Sequence, residues 1–478
     1  MHLPLLMLLL AAALGTPTEW GVVVDCGSSG SRVHIYFWDS APHVSELQPD
    51  SEADKAKLRT TPGISAFVDD PEAVGPYFAN LLQEAARWVP ADQHARTPVR
   101  AYATAGMRLH TAAEQEGVWD TIRATIRNSA FKSPYSTART ITGNYEGLCH
   151  WIAMQQILTK SPAAGGPAFG TMDLGGASTQ IVFPAEVILQ DGYEVLLNGT
   201  VLRLYAHSYM RYGKDQAHAR VRQLLAGRGP RDGDLAEPCL NAGLNATHTV
   251  ACAPAQRCER RFVGTGNWSA CRALTAELMQ QDYECLFPEE ACAVRGTYQP
   301  LHKGLPFWAT SAYFFTVYGL GLCGWDDAWQ GTWRDIEAAG RRFCATPWAN
   351  LSDRDEFAAG YCFASAYVPA LLQALDIPPD STQVSYVRVL NGMQVTWALG
   401  AQIDAIMDAA AHAALQPYPS EPEPLGGTKV DIFSLVAGLP SAAVIGGAIC
   451  AILTYLYCRR PASPRGAELA LSNIQRAL

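Results

Sequence analysis

The sequence predicts an α/β protein of two related domains facing each other across a cleft, and three observations carry that expectation. The first is Gly21–Trp38, GVVVDCGSSGSRVHIYFW. Val22, Val23 and Val24 lead into Asp25, a turn of small residues follows, and Val33–Phe37 resumes the strand pattern, so the stretch reads as a hairpin with an acidic residue at its tip. The second is an echo at Phe169–Pro184, FGTMDLGGASTQIVFP, where Asp173, a small-residue turn and Ile181-Val182-Phe183 recur in the same order. The third is size. With 478 residues, 49% of them hydrophobic and 17% charged, the chain can bury two cores.

Each hairpin carries a candidate site. In the first, Gly27, Ser28, Ser29, Gly30 and Ser31 place backbone N–H groups and hydroxyls around a small anion, with Arg32 beside them. An ordinary Gly/Ser hairpin turn is the competing reading of this stretch alone. In the second, Gly175, Gly176, Ala177, Ser178 and Gln180 occupy the corresponding places, so phosphate would be held from both sides. Asp25 and Asp173, one at each tip, offer hard oxygen ligands suited to holding magnesium or calcium between them through water. No G-x-x-x-x-G-K-[ST] loop occurs, so the grip would consist of backbone amides, hydroxyls and metal.

Between the hairpins, Val74, Phe78, Leu81, Leu82 and Ala85 recur at helical spacing and predict an amphipathic helix over Pro71–Val89. Val99-Arg100-Ala101-Tyr102 then reads as a strand running into Thr104-Ala105-Gly106-Met107-Arg108. There Thr104 offers a hydroxyl to a terminal phosphate, or else the small residues form a tight packing turn. Thr111–Glu114 is a capping-box pattern opening a helix carried by Val118, Ile122 and Ile126. Glu146 follows in Gly143-Asn144-Tyr145-Glu146-Gly147, at the start of another helix; a carboxylate there complements the helix dipole.

After the second hairpin, residues 186–225 read as a strand pair and a helix. Cys239, Cys252, Cys258, Cys271, Cys285 and Cys292 then crowd one segment without the paired C-x₂-C spacing of a zinc site, which points to disulfides. Cys344 and Cys362 make a further expected pair, with Cys26, Cys149 and Cys323 left over. Phe307–Phe315 is aromatic enough to stack a nucleobase and equally a core helix. Val387–Gly400 returns the chain to the first domain.

Thirteen cysteines and the sequons at Asn198, Asn245, Asn267 and Asn350 imply a glycoprotein of an oxidising compartment. A formal charge of −9 gives no basic stripe, so no nucleic-acid partner is expected. Leu3–Gly15 has the length of a signal-peptide core, giving a signal over 1–18. Ile432–Cys458 is apolar and followed by Arg459 and Arg460, so the expected layout closes with a stalk over 416–430, one transmembrane helix over 431–458 and a cytosolic tail over 459–478.

DCGSSGSR at 25–32, ATAGMR at 103–108, GNYEG at 143–147 and MDLGGASTQ at 172–180 resemble, in order, the signature regions of the nucleoside triphosphate diphosphohydrolase (apyrase) family. Looser matches lie near Phe307–Thr316 and at Gln394–Gly400, and the resemblance spans most of residues 20–415. It implies two actin-like (RNase H-like) domains across a nucleotide-binding cleft: domain I over 19–142 and 388–415, domain II over 143–387 with the disulfide-rich insert 239–292. It also implies calcium- or magnesium-dependent removal of the terminal phosphate of nucleoside tri- or diphosphates. Glu146 would be the catalytic base, Ser178 would position the attacking water, Trp397 would match a family tryptophan near the phosphate site, and Tyr209–Gly213 would lie near the nucleotide. The DCGSSGSR wording is closest to Golgi and lysosomal members, and the first-domain cysteine pair of cell-surface members is missing. A Golgi lumen is therefore expected ahead of the plasma membrane. Three other readings stay open on sequence, one of them a chaperone or filament ATPase, which the sequons and disulfides disfavour. A sugar-kinase-like phosphotransferase normally works in the cytosol, against the sequons and disulfides. A non-catalytic nucleotide-binding ectodomain would be expected to lose Glu146 or Ser178, and both are present.

Overall fold

The computed structural model describes residues 18–414, except 40–42, 50, 134–136, 160–167, 198–199, 254–255, 280–283, 288–291, 352–354 and 356. The described residues form one compact unit, and residues 415–478 lie wholly outside them.

Two sheets repeat one plan. In the first, β1 (Glu19–Cys26) pairs antiparallel with β2 (Ser31–Trp38), and β2 carries β3 (Ser45–Glu46) and β4 (Arg59–Thr60) on its other side. On the far side of β1, β5 (Val99–Ala103) and β6 (Ala138–Thr140) continue in parallel. In the second, β7 (Gly170–Leu174) pairs antiparallel with β8 (Ser178–Pro184), which continues through β9 (Gly192–Leu197) and β10 (Thr200–Met210) in the order β8-β10-β9. A separate small sheet, β11 (Leu235–Glu237), β12 (Asn245–Ala253) and β13 (Gln256–Gly264), follows. β14 (Phe307–Ser311) then joins β7 in parallel, and β15 (Trp329–Gln330) and β16 (Val384–Tyr386) close the edge. An antiparallel hairpin followed outward by two parallel strands thus occurs twice, as the echo in the sequence implies.

Burial gives the layers. One face of the first sheet, with Val22, Val24, Val99 and Ala101, packs on helices Val74–Ala86 and Ala112–Arg127. The outer face of the second sheet packs on helices that include Trp268–Met279, Trp333–Ala345 and Tyr361–Ala374. Between the sheets lie helices Gly143–Leu158 and Trp397–Ala414, in a core with Val23, Tyr102, Val182 and Leu204. These two helices touch closely. A Cβ on Gly400 would stand 1.7 Å from the carbonyl oxygen of Cys149, so only glycine fits there. Tyr145 Oη donates to Asp404 Oδ2 at 2.7 Å across the same contact.

Two expectations need correction. The expected fold class ended in a transmembrane helix, but among the described residues no helix is long and apolar enough to cross a membrane. The last described helix, Trp397–Ala414, carries Gln402, Asp404 and Asp408 and spends its apolar face on the central core, as a helix of a globular fold does. The stretch 431–458 lies outside the described residues, as do the signal over 1–18 apart from Thr18, the stalk and the tail. Of the insert's cysteines, Cys239–Cys271 and Cys285–Cys292 form disulfides, as does Cys344–Cys362 outside it. Cys252 and Cys258 are free thiols on neighbouring strands, and Cys26, Cys149 and Cys323 are free as expected.

Candidate active site

The two hairpin tips meet. A Cβ on Gly176 would lie 2.9 Å from Ser28 Oγ and 2.8 Å from Asp215 Oδ2, so the glycine is what lets the second tip approach the first. Ser28 and Ser29 are exposed at the first tip, with Gly27 partly so. Gly30 is buried against the Thr60 carbonyl, where a Cβ would come within 2.5 Å. The Ser31 hydroxyl is committed to structure, accepting from Tyr77 Oη at 2.9 Å in a residue only 1% exposed. Arg32 Nη1 stands 3.7 Å from Asp25 Oδ2. Thr104, buried at the end of β5, joins the first tip through its N–H to the Cys26 carbonyl. At the second tip the Gly175 N–H is used within the turn, bonding the Ser178 carbonyl.

Asp25 and Asp173 are both buried, as their equivalent registers demand. Burial raises the Asp25 carboxyl above the usual range; Arg32 and His34 oppose the shift and Asp173 adds to it, which places the two carboxylates in one field. Asp25 Oδ1 is buried without a hydrogen-bond partner among the described residues. An orphaned carboxylate oxygen in the field of a second carboxylate is a fit for a hard divalent cation completed by water and phosphate. Among the described residues no three His, Cys, Asp or Glu side chains cluster as a ligand set.

Glu146 lies on the first turn of helix Gly143–Leu158, which Thr142 caps by accepting from the Tyr145 N–H. Its carboxylate is 7% exposed and takes Arg108 Nη2 at 2.5 Å, while Arg108 Nε donates to the Ile141 carbonyl at 2.7 Å. Burial pushes the Glu146 carboxyl up to about 7; Arg108 opposes that rise, and Asp173 and Asp25 reinforce it. Gln180 links the rest: its Nε2 donates to Ser178 Oγ at 2.7 Å, to Ser208 Oγ at 3.0 Å, and reaches Glu146 Oε2 at 3.4 Å. A carboxyl half-ionised near neutral pH, one amide away from a serine hydroxyl, can take a proton from water held between them.

Trp397 is buried in the central core with its ring tilted against that of Tyr102, the centroids 6.5 Å apart, and Tyr102 is the strand partner of Asp25. Of the aromatic run, Phe307, Tyr313 and Phe314 are core. Phe315 turns outward to stack on Trp325 and Phe357, which are 46% and 53% exposed.

Four side chains of the network were not singled out from sequence. Arg108 ends the ATAGMR motif and His150 follows Glu146 by one helical turn, so both had a positional signal. Ser208 and Thr310 had none: strand register alone sets Ser208 beside Gln180 and Thr310 beside Asp173.

Comparison with known proteins places the chain among relatives. The chain is 30% identical over 423 residues to a probable apyrase 6 of Arabidopsis thaliana, covering 83% of this chain and 74% of that protein. It is 29% identical over 452 residues to the ectonucleoside triphosphate diphosphohydrolase 3 of Homo sapiens, covering 86% and 82%. A crystal structure of nucleoside triphosphate hydrolases from Neospora caninum superposes with a TM-score of 0.62 at 17% identity, over 85% of this chain and 96% of that one, which shows the shared fold. The model of the GDA1/CD39 (nucleoside phosphatase) family matches residues 12–418, from before the first hairpin to past the last described helix, and the chain belongs to that family.

Proposed function

We propose that the chain hydrolyses the terminal phosphoanhydride of nucleoside tri- and diphosphates with Glu146 as general base and Ser178 as the residue that positions the attacking water. The observation that carries this is the Glu146 carboxylate: buried, brought to about neutral by its surroundings, and joined through Gln180 to Ser178 between two tip aspartates. Water at that point faces the terminal phosphorus of a nucleotide whose phosphates lie between the two turns. Glu146 accepts a proton from that water as the water oxygen bonds to the terminal phosphorus and the bridging P–O bond to the leaving nucleoside di- or monophosphate breaks. Backbone amides and the hydroxyls of Ser28, Ser29 and Thr104 hold the phosphoryl oxygens, where most stabilisation in phosphoryl transfer arises. Asp25 and Asp173 would hold calcium or magnesium through water, and such an ion neutralises charge on the phosphate oxygens. Helix Ala312–Gly319 begins at the end of β14 beside Asp173, so the half-buried Phe315 with the exposed Trp325 and Phe357 offers the base a stacking surface on that side.

The disulfides and sequons favour the secretory-pathway lumen or the cell exterior as the site of action, and the DCGSSGSR wording favours the Golgi. The test of the chemistry is Glu146→Gln, which keeps size and hydrogen bonding and removes the basic oxygen. Phosphate release from UDP should fall by roughly 10²–10⁴ in kcat, with nucleotide affinity by calorimetry little changed. Retention of more than about a tenth of kcat would defeat the assignment.

A further inference from the structure

The catalytic reading leaves two buried polar side chains beside the site without a task. His150 and Thr310 are each 2% exposed, one on the helix that carries Glu146 and the other on β14. Thr310 Oγ1 donates to Asp173 Oδ1 at 3.0 Å and lies 2.9 Å from His150 Nε2. A threonine has one hydroxyl proton, and here it goes to the carboxylate. The contact with His150 therefore requires the imidazole to donate, which fixes its tautomer with hydrogen on Nε2. The result is a directed chain, His150 to Thr310 to Asp173. Burial holds the imidazole towards its neutral form, against the pull of Asp173.

The placement follows from the fold. Register sets Thr310 directly beside Asp173 on the neighbouring parallel strand, and His150 lies four residues beyond Glu146, one turn along the same helix. The first tip has a counterpart in His34. It shares a sheet face with Asp25, takes Glu46 Oε1 at 2.7 Å on Nδ1, and is buried with its Nε2 unpartnered among the described residues. Each tip aspartate thus has a buried histidine behind it, and at the second tip the connection is made through hydrogen bonds.

We propose that His150 and Thr310 are positioning residues that orient the Asp173 carboxylate towards a water-coordinated divalent cation, so that the helix supplying the general base also sets the metal-side carboxylate. This rests on the reading of Asp173 given above. Oriented outer partners of this kind tune metal affinity without touching the metal.

The full-length protein tests it with Thr310→Val, Thr310→Ser, His150→Leu, the Thr310→Val/His150→Leu pair and Asp173→Ala. Two quantities are read: the calcium or magnesium concentration giving half-maximal phosphate release, and the metal dependence of binding of a non-hydrolysable nucleoside triphosphate analogue by calorimetry. Thr310→Val should raise the half-saturating metal concentration about tenfold in both, with kcat at saturating metal within about threefold of wild type. Thr310→Ser should restore it. The pair should be no worse than Thr310→Val alone, because the two residues act in series. Wild-type metal dependence in a folded Thr310→Val protein, or strictly additive effects in the pair, would overturn the inference. Should Asp173→Ala lose its metal dependence while Thr310→Val keeps it, the positioning role falls and the metal reading stands. Should Asp173→Ala itself keep it, both fall.

Discussion

Glu146 shows how one residue's environment sets the reaction's pH range. Desolvation raises its carboxyl and Arg108 pulls it back, with the balance at about 7. The base works only when ionised, so kcat/KM should climb through an acidic limb with an apparent pKa at or below about 7, a nearby cation working in the same direction as Arg108. Removing the guanidinium in Arg108→Gln takes away a favourable charge on the ionised form. The limb should therefore move to higher pH and the rate at pH 7 should drop; a limb that stays put or moves down would show that Arg108 does not act on Glu146 in this way. From its place at a helix start alone Glu146 reads as a dipole complement, and the base role comes only from the resemblance of GNYEG to the family's signature region. Arg108 acquires its role only when Ile141 and Glu146 come to stand on either side of its guanidinium, and one Nη1 is still buried without a partner among the described residues. Nothing local in the sequence shows that Tyr77 Oη donates to the Ser31 hydroxyl or that the Trp397 indole packs in the central core.

At the level of elements, the site depends on where two helices and two turns can touch. Gly400 and Gly176 make this concrete because they respond oppositely to the same added methyl. In Gly400→Ala the new carbon meets backbone, the Cys149 carbonyl, so helix Trp397–Ala414 must move off the helix that carries Glu146. A loss of roughly 2–3 kcal/mol is expected by denaturant unfolding, together with lowered kcat. In Gly176→Ala the carbon meets only side-chain ends, Ser28 Oγ and Asp215 Oδ2, which can swing away. Stability should change by less than about 1 kcal/mol while the space between the tips narrows, so KM for nucleotide should rise several-fold. Equal losses of stability in the two variants would contradict this account. The hairpins and the helix over Val74–Ala86 could be read from periodicity, because alternation and helical spacing are local properties. The order of strands around them could not. Ser208 and Thr310 enter the site only because β10 lies beside β8 and β14 beside β7, and no local pattern in either strand specifies its neighbour.

For the whole molecule, the same order of strands in both sheets puts an aspartate-bearing tip from each at one place, and a ligand held there ties one sheet to the other. Binding to the folded state alone stabilises it by RT ln(1 + [L]/Kd), roughly 2.7 kcal/mol at about 100 Kd, and most of that rise should require both nucleotide and divalent cation if Asp25 and Asp173 share the ion. A thermal melt of the wild-type protein with a non-hydrolysable nucleotide should therefore show a small shift alone and a larger one with calcium or magnesium. In Asp25→Ala and in Asp173→Ala the metal-dependent part should vanish while the nucleotide-only part remains, since the backbone amides and hydroxyls of the turns are untouched. Turnover should be abolished in both, with the apo melting temperature near wild type or above it in Asp25→Ala, whose Oδ1 has no partner among the described residues, and lower in Asp173→Ala, where the buried Thr310 hydroxyl loses its acceptor. In the metal-dependent shift the two variants have to behave alike. If only one aspartate carried the metal-dependent shift, the ion would sit on one tip, and the cleft would be joined by the nucleotide's phosphates instead of by the two carboxylates.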